Sequence, residues 1–570
     1  MTARAPWALL AGLGLAVPGL AQQPPVAPDV DAQIRQQREL ERQRSLPQPT
    51  APRPATQGEG ARVPEGPTLL VKRFVFEGNE RYTSEQLAPI VAPYLQRRVT
   101  LGELELAAAD VARYYRAAGW VARVIVPPQQ VDEGTVRLKV IEAVLGQTRF
   151  SQGTDTAALP VRPGVIVGSV QSRQAPGAKF NIPAVERGLL LANDLPGIGV
   201  AGSQAAGAKE AETDVVLDVS SKGAVFGEAS LDNLGARSTG AARATGRIGL
   251  NSPAHFGEQL DAIVQVTEYM RYLRVGGSVP LGADGLRLGA NAAYLHYRVG
   301  ADFSALEPRG SSKTLGADLL YPAIRSASHN LYLDAAVEHK RPYNTASTGT
   351  ISDYSIDNLL FKLDGNAFDQ IGGGGISTGN LTFVLGHVKL SDSPAAYVAA
   401  DAAGPRVAGT FQALRYRFTR MQRLGGDWSL QAGFSGQQAD KNLDSAEKLY
   451  LGGPYGVRAY PVNEAGGSSG QLLNVDLKWR LPAAAPWGFE LSAFYDRGHI
   501  RNPYSVPGQL GTYSLSGWGL GLAVDAPYRT RLSAIVARRI GDNPGANAQG
   551  RDQDGSLDRT RFWLTGTVSF

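Results

Sequence analysis

The last ten residues of the chain alternate between apolar and polar side chains. The apolar face holds Phe562, Leu564, Val568 and Phe570. A strand of this length is close to the ~9–11 residues that a tilted β-strand needs to cross a bilayer. Because the strand ends on an aromatic residue, it is typical of an outer-membrane β-barrel, with the apolar face toward lipid and the other toward an aqueous lumen. We assign these four residues to the assembly of the barrel.

The same alternation recurs through the Gly-rich region 224–570, which has 347 residues. Its clearest segments begin at Trp428, Leu473, Phe489 and Trp518. A soluble β-sandwich also alternates, but it would not place Asn, Asp, Lys and Arg on one face as a large water-filled barrel does. The pattern predicts an all-β membrane fold, an antiparallel transmembrane barrel of about 16 strands, with 14 or 18 also compatible.

Connections in the last third of the chain alternate in length. Those at residues 482–486 and around Pro527 are short, whereas 439–470, 499–510 and 541–559 are long. Short periplasmic turns and longer external loops are usual in such barrels. The C-terminus is therefore expected in the periplasm beside the N-terminal domains, which requires an even number of strands.

Five segments precede the barrel. A positive residue, Arg4, and a short apolar run predict a signal peptide at 1–21. A polar helix follows at 22–46, for which a disordered or solvated arm is the alternative. A Pro-rich linker at 47–67 is expected to be extended. Alternating strand and helix patterns predict two small α+β domains at 68–144 and 145–222, before the barrel at 223–570.

Recognisable catalytic chemistry is missing from the sequence. The chain has no Cys, which excludes thiol catalysis and Cys-ligated zinc. Its six His are too far apart for a helical metal pair, and no nucleophile-elbow or phosphate-loop motif is present. The run from Asp552 to Gly555, with Asp558, faintly resembles a calcium loop but lacks the final Glu, so we interpret it as a solvated external loop. We predict no catalytic residues, no metal and no cofactor, and a net charge of +5 gives little support for nucleic-acid binding.

Two motifs in the barrel region are more specific. A long connection contains Gly456, Val457, Arg458, Ala459 and Tyr460, and the next segment but one along the chain carries Phe494, Asp496 and Gly498. Together they resemble the loop motif Val-Arg-Gly-Tyr and the wall motif Phe-x-Asp-x-Gly of the two-partner secretion transporters, the TpsB family of the FhaC, ShlB and HecB type. The two α+β domains resemble the POTRA domains of that family.

The resemblance implies a fold and a function. The loop at about 439–470 would fold into the pore, where Arg458 would meet Asp496, and the helix at 22–46 would plug the lumen. Ala459 stands where the family has Gly. If the backbone there needed a positive φ, Ala would cost ~1–2 kcal/mol; otherwise the position tolerates a small side chain.

A transporter of this type would export one large partner exoprotein, adhesin-like or haemolysin-like and encoded nearby, without ATP. Its other expected partners are outer-membrane lipid and the barrel-assembly machinery, with no nucleic acid. The expected location is the outer membrane, with the N-terminal domains in the periplasm. The alternatives are a BamA/TamA-type assembly factor, a passive porin and, least favoured, an outer-membrane enzyme.

Overall fold

The computed structural model describes residues 30–50, 66–300, 307–483, 485–504 and 510–570. The predicted signal peptide at 1–21 and most of the predicted linker at 47–67 lie outside the described residues. Within those ranges, none of the helices has both the length and the apolar content needed to cross a bilayer.

The predicted N-terminal helix is present as α1, Val30–Ser45. It is followed by two domains that each pack helices against a three-stranded sheet. The first contains β1 Leu69–Val71, β2 Arg73–Glu77, α2 Ser84–Val91, β3 Arg97–Val99, α3 Leu101–Ala117, β4 Ala122–Ile125 and β5 Thr135–Glu142. The second contains β6 Val144–Phe150, α4 Pro163–Gln171, α5 Ile182–Asn193, β7 Ile198–Ala206 and β8 Glu212–Ser221.

The helices of the first domain begin where the sequence supplies capping residues. The Thr83 hydroxyl accepts from the Gln86 amide and the Thr100 hydroxyl accepts from the Glu103 amide, and each cap is completed by the reciprocal bond. Both domains have the same sheet plan, with a central strand parallel to one edge strand and antiparallel to the other. The orders are β2-β5-β4 and β6-β8-β7, so each domain leaves two strand edges.

The region after Gly223 forms a closed antiparallel barrel. Its wall consists of β9 Val225–Asp232, β10 Arg243–Asn251, β11 Gln259–Thr267, β12 Met270–Pro280, β13 Arg287–Arg298, β14 Arg309–Arg325, β15 His329–Ala346, β16 Gly349–Asp353, β17 Ser355–Asp369, β18 Gly375–Lys389, β19 Gly409–Gly425, β20 Trp428–Ala439, β23 Ser469–Leu481, β24 Gly488–Arg501, β25 Thr512–Ala526, β26 Thr530–Arg539 and β27 Thr560–Ser569. The external connections hold α6 Ala395–Ala403 and the short pair β21 Leu449–Tyr450 and β22 Gly466–Gly467.

β16 and β17 are two parts of one long strand, interrupted at Tyr354, because both pair with β15. The described residues therefore form 16 transmembrane strands, which confirms the expected number. β27 closes the barrel against β9, from the pair Thr565–Asp232 to the pair Ser569–Glu228. An even number of strands brings Phe570 back to the side of the N-terminal domains.

The faces of the strands follow the alternation in the sequence. Phe562, Leu564, Trp518 and Leu520 point outward and are about half exposed, whereas Asp496 on β24 points inward and is fully buried. A period of two places every second side chain on the same face. Connection length is less regular than expected, because the external turns at 268–269 and 347–348 are short.

Candidate functional site in the barrel lumen

The connection between β20 and β23, residues 440–468, turns back into the barrel and buries its motif. Val457, Ala459 and Tyr460 are each at most 1% exposed. The Val457 amide donates to the Leu451 carbonyl over 2.6 Å. At Gly456 an added Cβ would lie 1.9 Å from the same Leu451 oxygen. Glycine is therefore required there, because no other residue allows the two backbone segments to approach so closely.

Arg458 lies between two carboxylates of the barrel wall. Its Nε and Nη2 donate to Asp496 on β24 over 2.9 and 2.7 Å, and its own amide donates to the same side chain over 3.0 Å. Nη1 and Nη2 also donate to Asp476 on β23, over 2.7 and 3.2 Å. Both contacts are bidentate, which is the most directional way to hold a guanidinium.

The surroundings of Arg458 exclude water and fix its plane. Its guanidinium lies 3.5 Å above the ring of Phe494, and its side chain is 11% exposed, against 0% for Asp496. Burial lowers the pKa of Arg458, but the hydrogen bonds and charges of Asp496 and Asp476 outweigh burial and raise the pKa above its ordinary value. The arginine therefore stays charged, and its two carboxylate partners compensate for the cost of burying that charge.

Two further side chains attach the loop to the wall. Trp563 on β27 donates from Nε1 to the Arg458 carbonyl over 2.8 Å. Asn474 on β23 donates to both the Gly456 carbonyl and Asp496, over 3.0 and 2.7 Å. The terminal strand thus contacts lipid with one face and holds the loop with the other.

Ala459 fits because the wall opposite is glycine. Its Cβ is 2.5 Å from the position that a Cβ on Gly517 would take. The backbone φ of Ala459 is not positive. The residue therefore carries no left-handed strain, and its small side chain is tolerated. Gly498 of the wall motif has a matching role, because a Cβ there would lie 2.7 Å from the Leu451 side chain.

Helix α1 lies in the lumen and is anchored by both apolar and charged contacts. Val30 and Ile34 pack on inward-facing residues of the wall that include Met270 and Tyr272. Arg42 donates to Asp364 over 2.9 Å and also pairs with Asp334, both on wall strands. The apolar anchor is short, and for that reason the sequence of the helix is polar nearly all round.

Glu447 joins helix α1, the loop and the wall. It is fully buried at the start of the in-folded loop and accepts from Arg35 of α1 over 3.1 Å. It also accepts from Lys340 over 2.7 Å and pairs with Arg415, both from the wall. One carboxylate thus neutralises three surrounding cations, so α1 and the loop share a support.

On the external side, the loop contacts the last external connection. Glu464 accepts from Asn543 over 2.8 Å and from the Gln553 amide over 2.9 Å. Burial, aided by the charges of Asp552 and Asp554, raises the pKa of Glu464 to about 7 despite these two hydrogen bonds, which lower it.

The connection at 541–559 is largely exposed, as the sequence indicated for a solvated external loop, but Asp552 is buried and Asp554 is half-buried. Asp552 is 3% exposed and pairs with Arg539 and Arg561 over 2.8 and 3.0 Å, while Asp554 pairs with Arg561 over 2.8 Å. Arginines from two neighbouring strands neutralise these two acids. Within the described ranges, no group of three or more His, Asp or Glu is arranged to hold a metal ion.

The second α+β domain is attached to the periplasmic turns of the barrel. Arg325 at the end of β14 donates to both oxygens of Asp194 over 2.7 and 2.8 Å. Arg173 of the domain pairs with Asp284 in a neighbouring periplasmic turn over 2.6 Å.

The two α+β domains also contact each other. Within the first domain, Tyr115 donates to Glu142 over 2.9 Å, and Lys179 of the second domain contacts the same carboxylate over 3.0 Å.

The structure brings the predicted loop and wall residues together, with Arg458 on Asp496 and Phe494. Sequence reasoning missed Asp476, Glu447, Glu464 and Trp563 as site residues. The lumen phase of β23 and β27 marked Asp476 and Trp563 as inward-facing, and no more than that. Glu447 and Glu464 carried no signal, because they act through partners that are distant in sequence.

The chain matches two family models. The haemolysin secretion/activation protein ShlB/FhaC/HecB model matches residues 211–524, more than half of the chain. The POTRA domain, ShlB-type, matches residues 69–143. This chain belongs to the ShlB/FhaC/HecB family. It is an outer-membrane transporter of the two-partner secretion type, and its POTRA domains lie in the periplasm.

Similar proteins agree with this assignment. The heme/hemopexin transporter protein HuxB of Haemophilus influenzae strain 86-028NP is 25% identical over 511 residues, covering 88% of this chain and 87% of HuxB. The outer membrane transporter CdiB of Escherichia coli O6:K15:H31 is 24% identical over 475 residues, covering 79% and 75%. HuxB and CdiB are both named as transporters.

Solved structures show the same fold. CdiB from Escherichia coli superposes with a TM-score of 0.74 at 20% identity, covering 96% of this chain and 99% of CdiB. BamA from Haemophilus ducreyi lacking POTRA domains 1–3 gives a TM-score of 0.52 at 14% identity, covering 88% and 100%. The fold of this chain is therefore more similar to that of CdiB than to that of BamA.

Proposed function

We propose that this transporter exports one large partner exoprotein, adhesin-like or haemolysin-like and encoded nearby, through the lumen of its barrel and without ATP. The observation that carries the proposal is the pairing of Arg458 with two wall carboxylates, here called the Arg458 clamp, which holds the loop inside the barrel. HuxB is named a heme/hemopexin transporter and the family is named for haemolysin secretion, which supports a secreted protein as cargo. We assign it no enzymatic activity and no cofactor.

The periplasmic domains are proposed to recognise the unfolded partner. In the second POTRA domain β7 is an edge strand, and residues 201–204 along it are exposed. An exposed strand edge can capture an extended segment by adding it as a further strand. Folding of the cargo outside the cell would then supply the free energy for export.

Both lumen elements must be displaced for a polypeptide to pass. Helix α1 and the loop are held by charged side chains on a polar wall, and Glu447 of the loop pairs with Arg35 of α1 and with Lys340 of the wall. Water in the lumen can hydrate these charged groups once they separate, so the contacts are reversible. We propose that residues 22–46 act as a plug, that 47–67 form its tether, and that the loop at 439–470 gates the pore.

The remaining assignments concern maturation and assembly. We propose that residues 1–21 are a signal peptide and that Phe562, Leu564, Val568 and Phe570 form the signal for the barrel-assembly machinery. The four side chains lie on the lipid face and are 39 to 64% exposed, so they are accessible to an assembly partner before insertion.

The central experiment replaces the clamp arginine. Arg458→Ala should abolish secretion of the adjacent gene product, while the protein stays a heat-modifiable, inserted barrel. Arg497→Ala is the matched control, because Arg497 is on the same strand as Asp496 but points outward. Normal secretion by Arg458→Ala would refute the role of the clamp.

A second experiment separates export from the alternative of a BamA/TamA-type assembly factor. Deletion of the gene should stop secretion of the partner and leave other outer-membrane barrels at their normal level. A general loss of other barrels would favour the assembly factor and overturn the exporter. Deletion of residues 22–46 should raise ion conductance, and unchanged conductance would exclude the plug.

A further inference from the structure

The outer wall of the barrel is concave between β10 and β19. This trough has a volume of about 1310 Å³ and its lining is almost entirely apolar. Outward-facing alanines produce the concavity, since Ala290 on β13 and Ala317 on β14 are directly paired and leave space between larger neighbours such as Leu315 and Val337. A depression of this size exceeds an ordinary ligand pocket, which has ~300–1,000 Å³.

The trough runs diagonally across the lipid face and becomes polar at one end. It starts near the periplasmic end of β10, at Leu250, and reaches the external end of β18, at His387. At that end it is lined by His339 and Asp357, which contact each other over 2.6 Å. The depression therefore has an apolar body within the membrane and a polar head at the external surface.

Lysines lie just beyond the polar end. Lys313 lies two positions closer to the external end of β14 than Leu315, and Lys389 lies two positions closer to the external end of β18 than His387. Two positions correspond to about 7 Å along a strand. Both are exposed, and among the described residues neither has a hydrogen-bond or ion-pair partner. Arg341, which pairs with Lys313 in register, lies between them, with Asp353 and Asp392 as its own partners.

We propose that the trough is a binding site for a phosphorylated, multiply acylated glycolipid of the outer leaflet. Its acyl chains would lie in the alanine-lined depression, and its phosphate groups would accept from Lys313 and Lys389. Ammonium groups bind phosphate as charge-assisted donors, and unpaired cations at a membrane surface are typical of lipid headgroup recognition. The imidazoles of His339 and His387 are placed to contact the sugar.

The test measures retained lipid on the purified full-length protein in detergent by native mass spectrometry. The probes are a bis-phosphorylated, six-chain glycolipid, its dephosphorylated form and phosphatidylglycerol. We expect about one phosphorylated glycolipid per chain and weaker retention of the other two probes. Lys313→Gln with Lys389→Gln should lower the affinity by roughly thirtyfold, whereas Arg497→Gln with Arg501→Gln, two outward arginines on β24, should leave it unchanged.

A second variant fills the depression without changing charge. Ala290→Trp with Ala317→Trp places two large side chains on the lipid face and should also weaken retention, with the heat-modifiable barrel preserved. Equal retention of all three probes would identify an unspecific lipid annulus and overturn the proposal. So would equal affinity in the lysine variant and its arginine control, or a mass that shows a second copy of the chain on this face.

Discussion

At the residue scale, the lumen depends on a few buried charges that differ in the number of their partners. Asp496 accepts from the side chain and the amide of Arg458 and from Asn474, whereas Asp476 accepts from Arg458 alone among the hydrogen bonds described here. Asp496 is also fully buried, while Asp476 retains 10% exposure. The two wall acids should therefore differ in how much each contributes to holding Arg458.

We expect Asp496→Asn to reduce secretion much more than Asp476→Asn. Removing one charge of a buried ion pair costs about 3–5 kcal/mol. Only the Asp496 change removes the charge of the acceptor that the guanidinium and the amide of Arg458 share. Secretion of the partner exoprotein and channel noise in planar bilayers measure the effect. Equal loss in the two variants would show that the carboxylates act as one unit.

Attachment of the loop to the last external connection should depend on pH through Glu464. In the docked loop burial raises the pKa of Glu464 to about 7, against an ordinary 4.5. Below 4.5 both the docked and the released loop carry the proton. Between 4.5 and about 7 the released loop loses it first, so docking weakens as pH rises, and above about 7 the penalty is constant.

Channel noise should accordingly increase from pH 5 to pH 7.5 in the native protein. Glu464→Gln mimics the protonated side chain and should remove this dependence, with quiet channels at both pH values. A variant that retains the pH dependence would assign it to another group and overturn the role of Glu464.

At the element scale, α1 is held by an apolar contact at its start and by ion pairs along its length. Val30 and Ile34 are 2% and 5% exposed, which is unusual for a helix that is otherwise polar. Burial of an unpaired carboxylate in such a patch is unfavourable by several kcal/mol, so this contact can be disrupted without altering the wall.

Val30→Asp with Ile34→Asp should release the helix and raise ion conductance toward that of a variant lacking residues 22–46. Glu41→Gln, at an exposed position on the same helix, is the control and should leave conductance unchanged. Planar-bilayer recordings of the purified protein provide the measurement. Unaltered conductance in the double variant would mean that the ion pairs alone hold α1.

At the scale of the whole molecule, the transporter combines a rigid wall with attached parts on two sides. The second POTRA domain is fixed to the barrel by the pair Asp194–Arg325, and the pore contains α1 and the loop. Under the proposed function, cargo bound to this domain acts on the pore through contacts between the domain and the barrel, and this ion pair is one of those contacts.

Asp194→Ala should lower secretion several-fold while the full-length protein still binds the N-terminal segment of the exoprotein with unchanged affinity. The pair is bidentate with a 5% exposed arginine, so its loss weakens the attachment of the domain, which the pair Arg173–Asp284 still holds to the barrel. Asp218→Ala, an exposed acid of the same domain, serves as the control. Secretion assays and segment binding separate the two steps, and a loss of binding would instead place Asp194 at the recognition surface.

Much of the barrel could be predicted because its information is local. Whether Trp518 faces lipid or Asp496 faces the lumen follows from the two-residue period of a strand, and the two motifs were readable as short stretches. The first half of the barrel was less legible, since Gly- and Ala-rich strands such as β13 alternate weakly, and α4 was not predicted because its helix lacks a polar face.

The sequence by itself determined the class of fold, the faces of the strands, the presence of a polar N-terminal helix and the arginine and aspartate of the two motifs. Only the tertiary structure decided that Asp476 shares Arg458, that Trp563 holds the loop from the last strand, and that Glu447 joins the loop to α1. Those contacts depend on strand register and on closure of the barrel. They bring together side chains up to hundreds of residues apart, and no local pattern encodes that distance.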